Sequence, residues 1–200
     1  AYPTEVGFII WATDTMKTNG DDVAYILWLM GVRPVWSSSG GQVVGLEPVP
    51  VEDMGRPRID VTVRITGLFR DAFPNLIDLL DDAVQLVAGL DESDEDNILS
   101  ANLRRDIVDG MANGLTVDEA RRRASVRVFG CPPGAYGPGV NHAIESGDWE
   151  TVNDLADIYI TWGSCAYGRG LHGESMRDEF VRRFSKVQAT VKNMPDREID

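Results

Sequence analysis

Gly55-Arg-Pro-Arg-Ile-Asp-Val-Thr-Val-Arg-Ile-Thr-Gly-Leu-Phe-Arg-Asp-Ala-Phe73 decides the fold. Ile59, Val61, Val63 and Ile65 alternate with Arg58, Asp60, Thr62, Arg64 and Thr66, and a period of two predicts a β-strand. Gly67 ends it. From Asp71 the period lengthens. Phe73, Leu76, Ile77, Leu80, Ala83, Val84 and Val87 share one helical face, with Asp71 as the expected N-cap and Pro74 in the first turn. A strand, a glycine corner and a helix in that order place Arg64, Phe69, Arg70 and Asp71 beyond the carboxyl end of a strand. Open α/β sheets bind their ligands there.

Working outward, Val6–Ala12 is a nearly continuous apolar run, as expected of a strand buried on both faces. Thr13–Gly20 reads as a polar loop, followed by a helix from about Asp21 carrying Val23, Ile26, Leu27 and Met30 and stopped by Gly31. Val32–Trp36 then reads as the next strand of a right-handed β-α-β unit, and Val43–Leu46 as a short strand pairing back across a turn at Ser37–Gly41. Downstream lie an acidic loop at 91–96 and a helix through Leu99, Leu103, Ile107 and Met111, weakened near its end by Gly110 and Gly114. A capping-box pattern at Thr116-x-x-Glu119 opens a short helix to about Ala124, and Val126–Phe129 is a further strand.

Gly130–Gly139 holds four glycines and three prolines and reads as an irregular loop able to approach a ligand closely. After it come a short helix at Val140–Glu145 and a helix capped by Asp148 that buries Val152, Leu155, Ile158, Tyr159 and Trp162. A loop punctured by Gly163, Gly168, Gly170 and Gly173 leads to a last helix, opened by Ser175-x-x-Asp178, with Phe180, Val181 and Phe184 inward. A strand at Val187–Val191 closes the chain. The sum is one α/β domain over residues 1–200: a Rossmann-like, doubly wound, mostly parallel sheet, with helical elaborations at 91–125 and 140–185. The absence of an initiator Met, and an end at Asp200 just past a strand, suggest a piece of a longer chain.

Net charge is −13, from 32 acids against 19 bases, which repels a polyanionic backbone and argues against nucleic acid as a partner. No apolar run reaches the length of a membrane span, and no basic-then-apolar leader is visible. Cys131 and Cys165 lack metal-ligand spacing, so a reduced, cytoplasmic setting is the simplest expectation. His142 and His172 stand alone, and no metal site is assigned. The five tryptophans mostly read as core. No P-loop, dinucleotide fingerprint, nucleophile elbow or HExxH occurs, which disfavours an NTPase, a dinucleotide enzyme, a serine hydrolase and a zincin.

Three loops follow the expected parallel strands, at 13–20, 67–71 and 130–139, and they open on one rim if those strands are neighbours. They bring together Asp14, Lys17, Arg70, Asp71 and Tyr136. Asp14 and Asp71 could do proton work, and Lys17, Arg64 and Arg70 could hold anionic substrate groups, with Phe69 and Tyr136 beside them. Asp71 is equally readable as a helix cap, Asp14 as a turn former, and Lys17 as a surface lysine. Arg64 implies either a strand near an edge or a polar strand face lining a cleft.

Four blocks carry a resemblance: Trp11-Ala-Thr-Asp-Thr-Met-Lys17-Thr-Asn-Gly20; Gly55–Val61 with Gly67-Leu-Phe-Arg-Asp-Ala-Phe-Pro-Asn75; Val128-Phe-Gly-Cys-Pro-Pro-Gly-Ala-Tyr-Gly137; and Val191-Lys-Asn-Met-Pro-Asp-Arg-Glu198. In this order they resemble the CobN family, the large subunit of aerobic-type cobaltochelatase, which is similar to the H subunit of magnesium chelatase. The resemblance implies a piece of a chain several-fold longer that binds a tetrapyrrole. Its partners would be an AAA+ ATPase subunit, which supplies ATP hydrolysis, and an integrin-I-like subunit. Cobalt would enter as substrate, in cobalamin biosynthesis, with no cofactor assigned to this segment itself. Arg70–Asn75 and the Lys192–Glu198 ending look more like the cobalt branch than the magnesium branch, which acts on protoporphyrin. The family's His-Gly-Thr-x-Glu block is absent from these 200 residues, so part of a site is expected elsewhere. Two other readings stay open: a scaffold or partner-docking segment, and an independent small-molecule enzyme of Rossmann-like fold.

Overall fold

In the computed structural model, which describes residues 2–193, the alternating stretch becomes the central strand of a six-stranded sheet. In chain order the elements are β1 (Glu5–Ile10), α1 (Ala12–Thr18), α2 (Asp21–Met30), β2 (Val32–Trp36), β3 (Val43–Pro48), α3 (Val51–Met54) and β4 (Asp60–Ile65). Then follow α4 (Gly67–Ala72), α5 (Pro74–Ala88), α6 (Ile98–Ala112), α7 (Val117–Ser125) and β5 (Val128–Gly130). The chain continues with α8 (Val140–Ser146), α9 (Val152–Gly163), β6 (Cys165–Gly168), β7 (Leu171–Ser175), α10 (Arg177–Phe184) and β8 (Ala189–Val191). Strand order is β7-β6-β5-β4-β1-β8. The last four are parallel neighbours, and the β6-β7 hairpin extends the sheet antiparallel beyond β5.

Both faces of β4 are buried, for opposite chemical reasons. Val61, Val63 and Ile65 join Val6, Phe8 and Ile10 of β1 in a core closed by α2 and α5, through Ile26, Met30, Leu80, Val84 and Val87 among others. On the other face, Phe129, Ala166, Met176 and Phe180 form a second apolar cluster with Tyr159, Ile160 and Phe184 of α9 and α10. Beside that cluster Asp60 lies between two arginines. Arg127 Nε donates to it at 2.6 Å and Arg183 Nη1 at 2.9 Å, and Asn102 adds a third bond at 3.0 Å. Arg183 also reaches Asp106 at 3.2 Å. The polar half of the alternation is thus an internal ionic seam, with helices on both sides of the sheet.

The structure corrects several local expectations. Val32–Trp36 does not enter the main sheet; it pairs antiparallel with β3 in a separate two-stranded sheet. Pro34 in its middle has no N–H to donate to a second neighbour, so an edge position suits it. The supposed loop after β1 is helix α1. The helix after β4 starts earlier than expected, with Thr66 as N-cap accepting from Phe69 N at 3.3 Å. Asp71 therefore lies inside α4 rather than capping it, and Pro74 opens α5. Thr116 does accept from Glu119 N, at 3.2 Å. Asp148 caps nothing; Thr151 and Asp154 form a capping box on α9. The glycine-punctured segment is the β6-β7 hairpin, not a loop, so the 140–185 region is not purely helical. Val152 and Val181 face solvent. Trp11, Trp28, Trp36 and Trp149 are likewise exposed, and Arg56 covers Trp28 with its guanidinium 4.1 Å from the ring. Beyond Asn193, the Met-Pro-Asp-Arg-Glu ending lies outside the described residues.

Candidate functional site

Parallel pairing of β8, β1, β4 and β5 sends the chain out of the sheet at one rim four times, and a cleft of about 480 Å³ opens there. Such a volume suits a small-molecule ligand. Trp11, Ala12 and Thr13 line it after β1, Arg64, Ile65, Thr66 and Leu68 around the end of β4, and Cys131, Tyr136, Gly137 and Pro138 after β5. Tyr159 closes it from α9, with the Arg64 guanidinium 5.6 Å from its ring. The wall is mostly apolar. Of the two alternatives for Arg64, the cleft holds: β4 is central, not an edge.

The irregular loop after β5 is held open by one buried arginine. Arg70, 4% exposed, donates Nη1 to the carbonyls of Cys131 (3.3 Å), Pro132 (2.7 Å) and Ala135 (3.1 Å). Its Nε and Nη2 grip Asp71 at 2.7 and 2.9 Å. Tyr167 adds a hydroxyl bond to Cys131 O at 2.6 Å, and the Cys131 thiol donates to Ala135 O at 2.9 Å. Three of the loop's carbonyls are satisfied in this way, and Tyr136 is left projecting at the cleft mouth, 63% exposed. Arg70 first, and the Tyr136 hydroxyl after it, hold the Asp71 carboxyl below the usual carboxylate range. The same carboxylate pushes the Tyr136 phenol up.

Gly67 permits the loop's approach. A Cβ there would lie 2.3 Å from Ala135 O and 2.9 Å from Tyr136 Cα, closer than backbone atoms tolerate. Gly67→Ala is therefore expected to displace the 131–137 loop and to cost about 1–3 kcal/mol. A urea midpoint unchanged from wild type would contradict that.

Of the residues expected at this rim, Arg64 and Tyr136 line the cleft. Asp71 stands behind Tyr136. Arg70 is a loop clamp, and Phe69, fully buried, packs against Phe73 in the core. Asp14 is buried on α1 and ion-paired with Lys192 just past β8. Lys17 is exposed on the last turn of α1 and outside the cleft lining. Sequence reasoning missed Trp11, whose ring carries the Lys192 ammonium at 4.5 Å, and Tyr159. Trp11 opens the first resemblance block and could have been found by its place after β1. Tyr159 gives no local signal, being far from the rim in sequence. Among the described residues no group of three or more His, Cys, Asp or Glu converges as a metal site, and no helix is long and apolar enough to cross a membrane.

A mostly parallel sheet flanked by helices, with an apolar cleft at its carboxyl rim, defines an α/β domain of the doubly wound class, in which ligands generally bind at that rim. The chain belongs to the CobN/magnesium chelatase family, whose model matches residues 1–200. It is 48% identical over 196 residues to the aerobic cobaltochelatase subunit CobN of Pseudomonas aeruginosa, covering 98% of this chain and 16% of that protein. It is 38% identical over 201 residues to the chloroplastic magnesium-chelatase subunit ChlH of Oryza sativa subsp. indica, covering 99% of this chain and 14% of that protein. Among solved structures, the catalytic subunit of cobaltochelatase from Mycobacterium tuberculosis superposes with a TM-score of 0.90 at 45% identity, over 100% of this chain and 16% of that one. The chain thus spans about one sixth of the length of such relatives.

Proposed function

We propose that the chain is a segment of the large subunit of an ATP-dependent metal chelatase, supplying a wall of the tetrapyrrole site for cobalt insertion into a corrin precursor. The observation that carries this reading is the likeness over the whole chain to a cobaltochelatase catalytic subunit, with an apolar cleft at the carboxyl rim of the sheet. The reading includes an AAA+ ATPase subunit and an integrin-I-like subunit as partners, with ATP on the former, and a cytoplasmic site of action. Cobalt is a substrate here. Magnesium insertion into protoporphyrin is the second reading, favoured by the 38% identity to a magnesium-chelatase subunit.

The residues divide the work unequally. Metal insertion requires two pyrrole protons to leave. A carboxylate whose charge is already taken up by a guanidinium is a weak acceptor, because pairing lowers its basicity. Asp71 is so paired with Arg70, Asp14 is tied up in an ion pair with the Lys192 ammonium, and neither lies on the cleft wall. Asp71 acts as a positioning residue that holds Tyr136 at the mouth, and Asp14 holds Lys192 over Trp11. Asp71→Ala in the full-length subunit is expected to slow metal insertion on the order of tenfold with the fold intact. Unchanged turnover would remove it from the site. The reading as a whole is tested by assaying the full-length subunit with its ATPase partners for cobalt and for magnesium insertion. Cobalt insertion supports the first reading, magnesium alone the second, and insertion of neither metal overturns both.

A further inference from the structure

Most of the buried arginines have a carboxylate: Arg58 has Glu92, Arg70 has Asp71, and Arg127 and Arg183 share Asp60. Arg56 has none among the described residues, but it donates to the carbonyls of Leu29 and Pro57 and to Trp28 O. Arg64 differs. It is 7% exposed, and among the described residues the single hydrogen bond of its side chain runs from Nη1 to Ile65 O at 2.7 Å. Its Nε is buried without a partner, and no carboxylate lies within ion-pair distance of it among those residues. A cation taken out of water without a counterion destabilises the fold. Arg64 is held there all the same, over Tyr159, on the wall of a cleft whose other walls are apolar.

We propose that Arg64 is the anion anchor of the cleft: its missing counterion is a carboxylate on the edge of a flat, otherwise apolar ligand, and the cleft therefore selects the free acid over its ester. The proposal rests on the tetrapyrrole reading above for the identity of the flat body, and it assigns the carboxylate to one of that ligand's side chains. A planar guanidinium matches a carboxylate in two parallel hydrogen bonds, and burial strengthens both. Ile65, Leu68 and Trp11 offer the apolar surface against which the macrocycle's edge lies.

The test uses the full-length subunit, wild type and Arg64→Met, titrated with deuteroporphyrin and with its dimethyl ester while tryptophan fluorescence is followed. Wild type is expected to bind the acid about 10- to 100-fold more tightly than the ester, the range of a charge-assisted hydrogen-bonded pair. Arg64→Met should lose that preference: affinity for the acid falls to that for the ester, while ester affinity stays within about threefold. Arg64→Lys, which keeps the charge without the planar fork, should retain part of the preference. Thermal unfolding separates this role from a structural one. A ligand anchor predicts that Arg64→Met is as stable as wild type or more so, since an uncompensated buried charge is removed. A preference for the acid that survives in Arg64→Met overturns the anchor and leaves the tetrapyrrole reading standing. Failure of wild type to bind either porphyrin overturns the proposal; the corrin reading falls only if the cobalt-insertion assay fails as well.

Discussion

Asp60→Asn is expected to destabilise the chain by about 3–5 kcal/mol, the range for removing one partner of a buried ion pair. The carboxylate is fully enclosed and accepts from two guanidinium groups. Asparagine keeps the shape and removes the charge, leaving Arg127 and Arg183 facing each other across the seam. For a domain of this size such a loss lowers Tm by about 6–20 °C. A drop below about 2 °C would show that the two arginines find other partners. The pH dependence has a definite sign. Burial alone would raise the Asp60 carboxyl, but Arg127 and Arg183 outweigh it and hold it below its ordinary value. The pair therefore contributes fully above the unfolded carboxylate value of about 3.9, and its contribution is lost as pH falls through the lower folded value. Glu5, on the neighbouring strand, runs the other way. Burial first, and Asp60 second, push its carboxyl up, so ionising it lowers stability as pH rises from the unfolded value through the raised one. Glu5→Gln should flatten that second dependence and leave the acid limb in place. A pH-stability curve recorded for both variants checks the two signs independently.

Arg58→Met is the second large effect expected, again about 3–5 kcal/mol. Arg58 is 1% exposed and ties three separate segments together. It donates to Met30 O (3.1 Å) and Gly31 O (2.7 Å) at the end of α2, to Val49 O (2.7 Å) after β3, and to both Glu92 oxygens at 2.7 Å. Methionine fills much of the volume but strands three carbonyls and a carboxylate, and it is these unmet acceptors that carry the cost. Glu92→Gln should cost less than Arg58→Met, because glutamine can still accept one of the bonds. The reverse ranking in urea midpoints would mean that the carboxylate, not the carbonyl clamp, dominates.

Both arginine systems bear on what could be read from residues alone. The alternation at 59–66 identified a strand, and Val6–Ala12 and Val126–Phe129 identified its two parallel neighbours, because a side-chain period of two and a buried apolar run are local properties. The helix faces of α2 and α5 followed from spacing in the same way. Element ends were less legible. Thr66 and Asp71 both offer cap chemistry, and the choice between them rests on which one the chain presents to a free N–H. The β6-β7 hairpin was hidden because three glycines, Gly168, Gly170 and Gly173, lower strand propensity, while its pairing partner β5 lies more than thirty residues upstream.

At the candidate site the same division holds. Residues just past the carboxyl ends of β1, β4 and β5 were readable as rim residues, since parallel strands with a common direction must deliver their following segments to one edge. Sequence could not say which rim side chains face the cleft. Arg64 and Arg70 are six positions apart, both buried, both arginine. One closes on Asp71 and three carbonyls, and the other has no counterion among the described residues and sits beside an apolar wall. The chain's order of apolar and polar residues by itself determined a doubly wound α/β domain with a shared rim after three particular strands. The tertiary structure alone decided which charges on that edge are spent and which remain. A charge is neutralised by whatever lies within a few ångströms of it, and that neighbour is set by folding rather than by proximity along the chain.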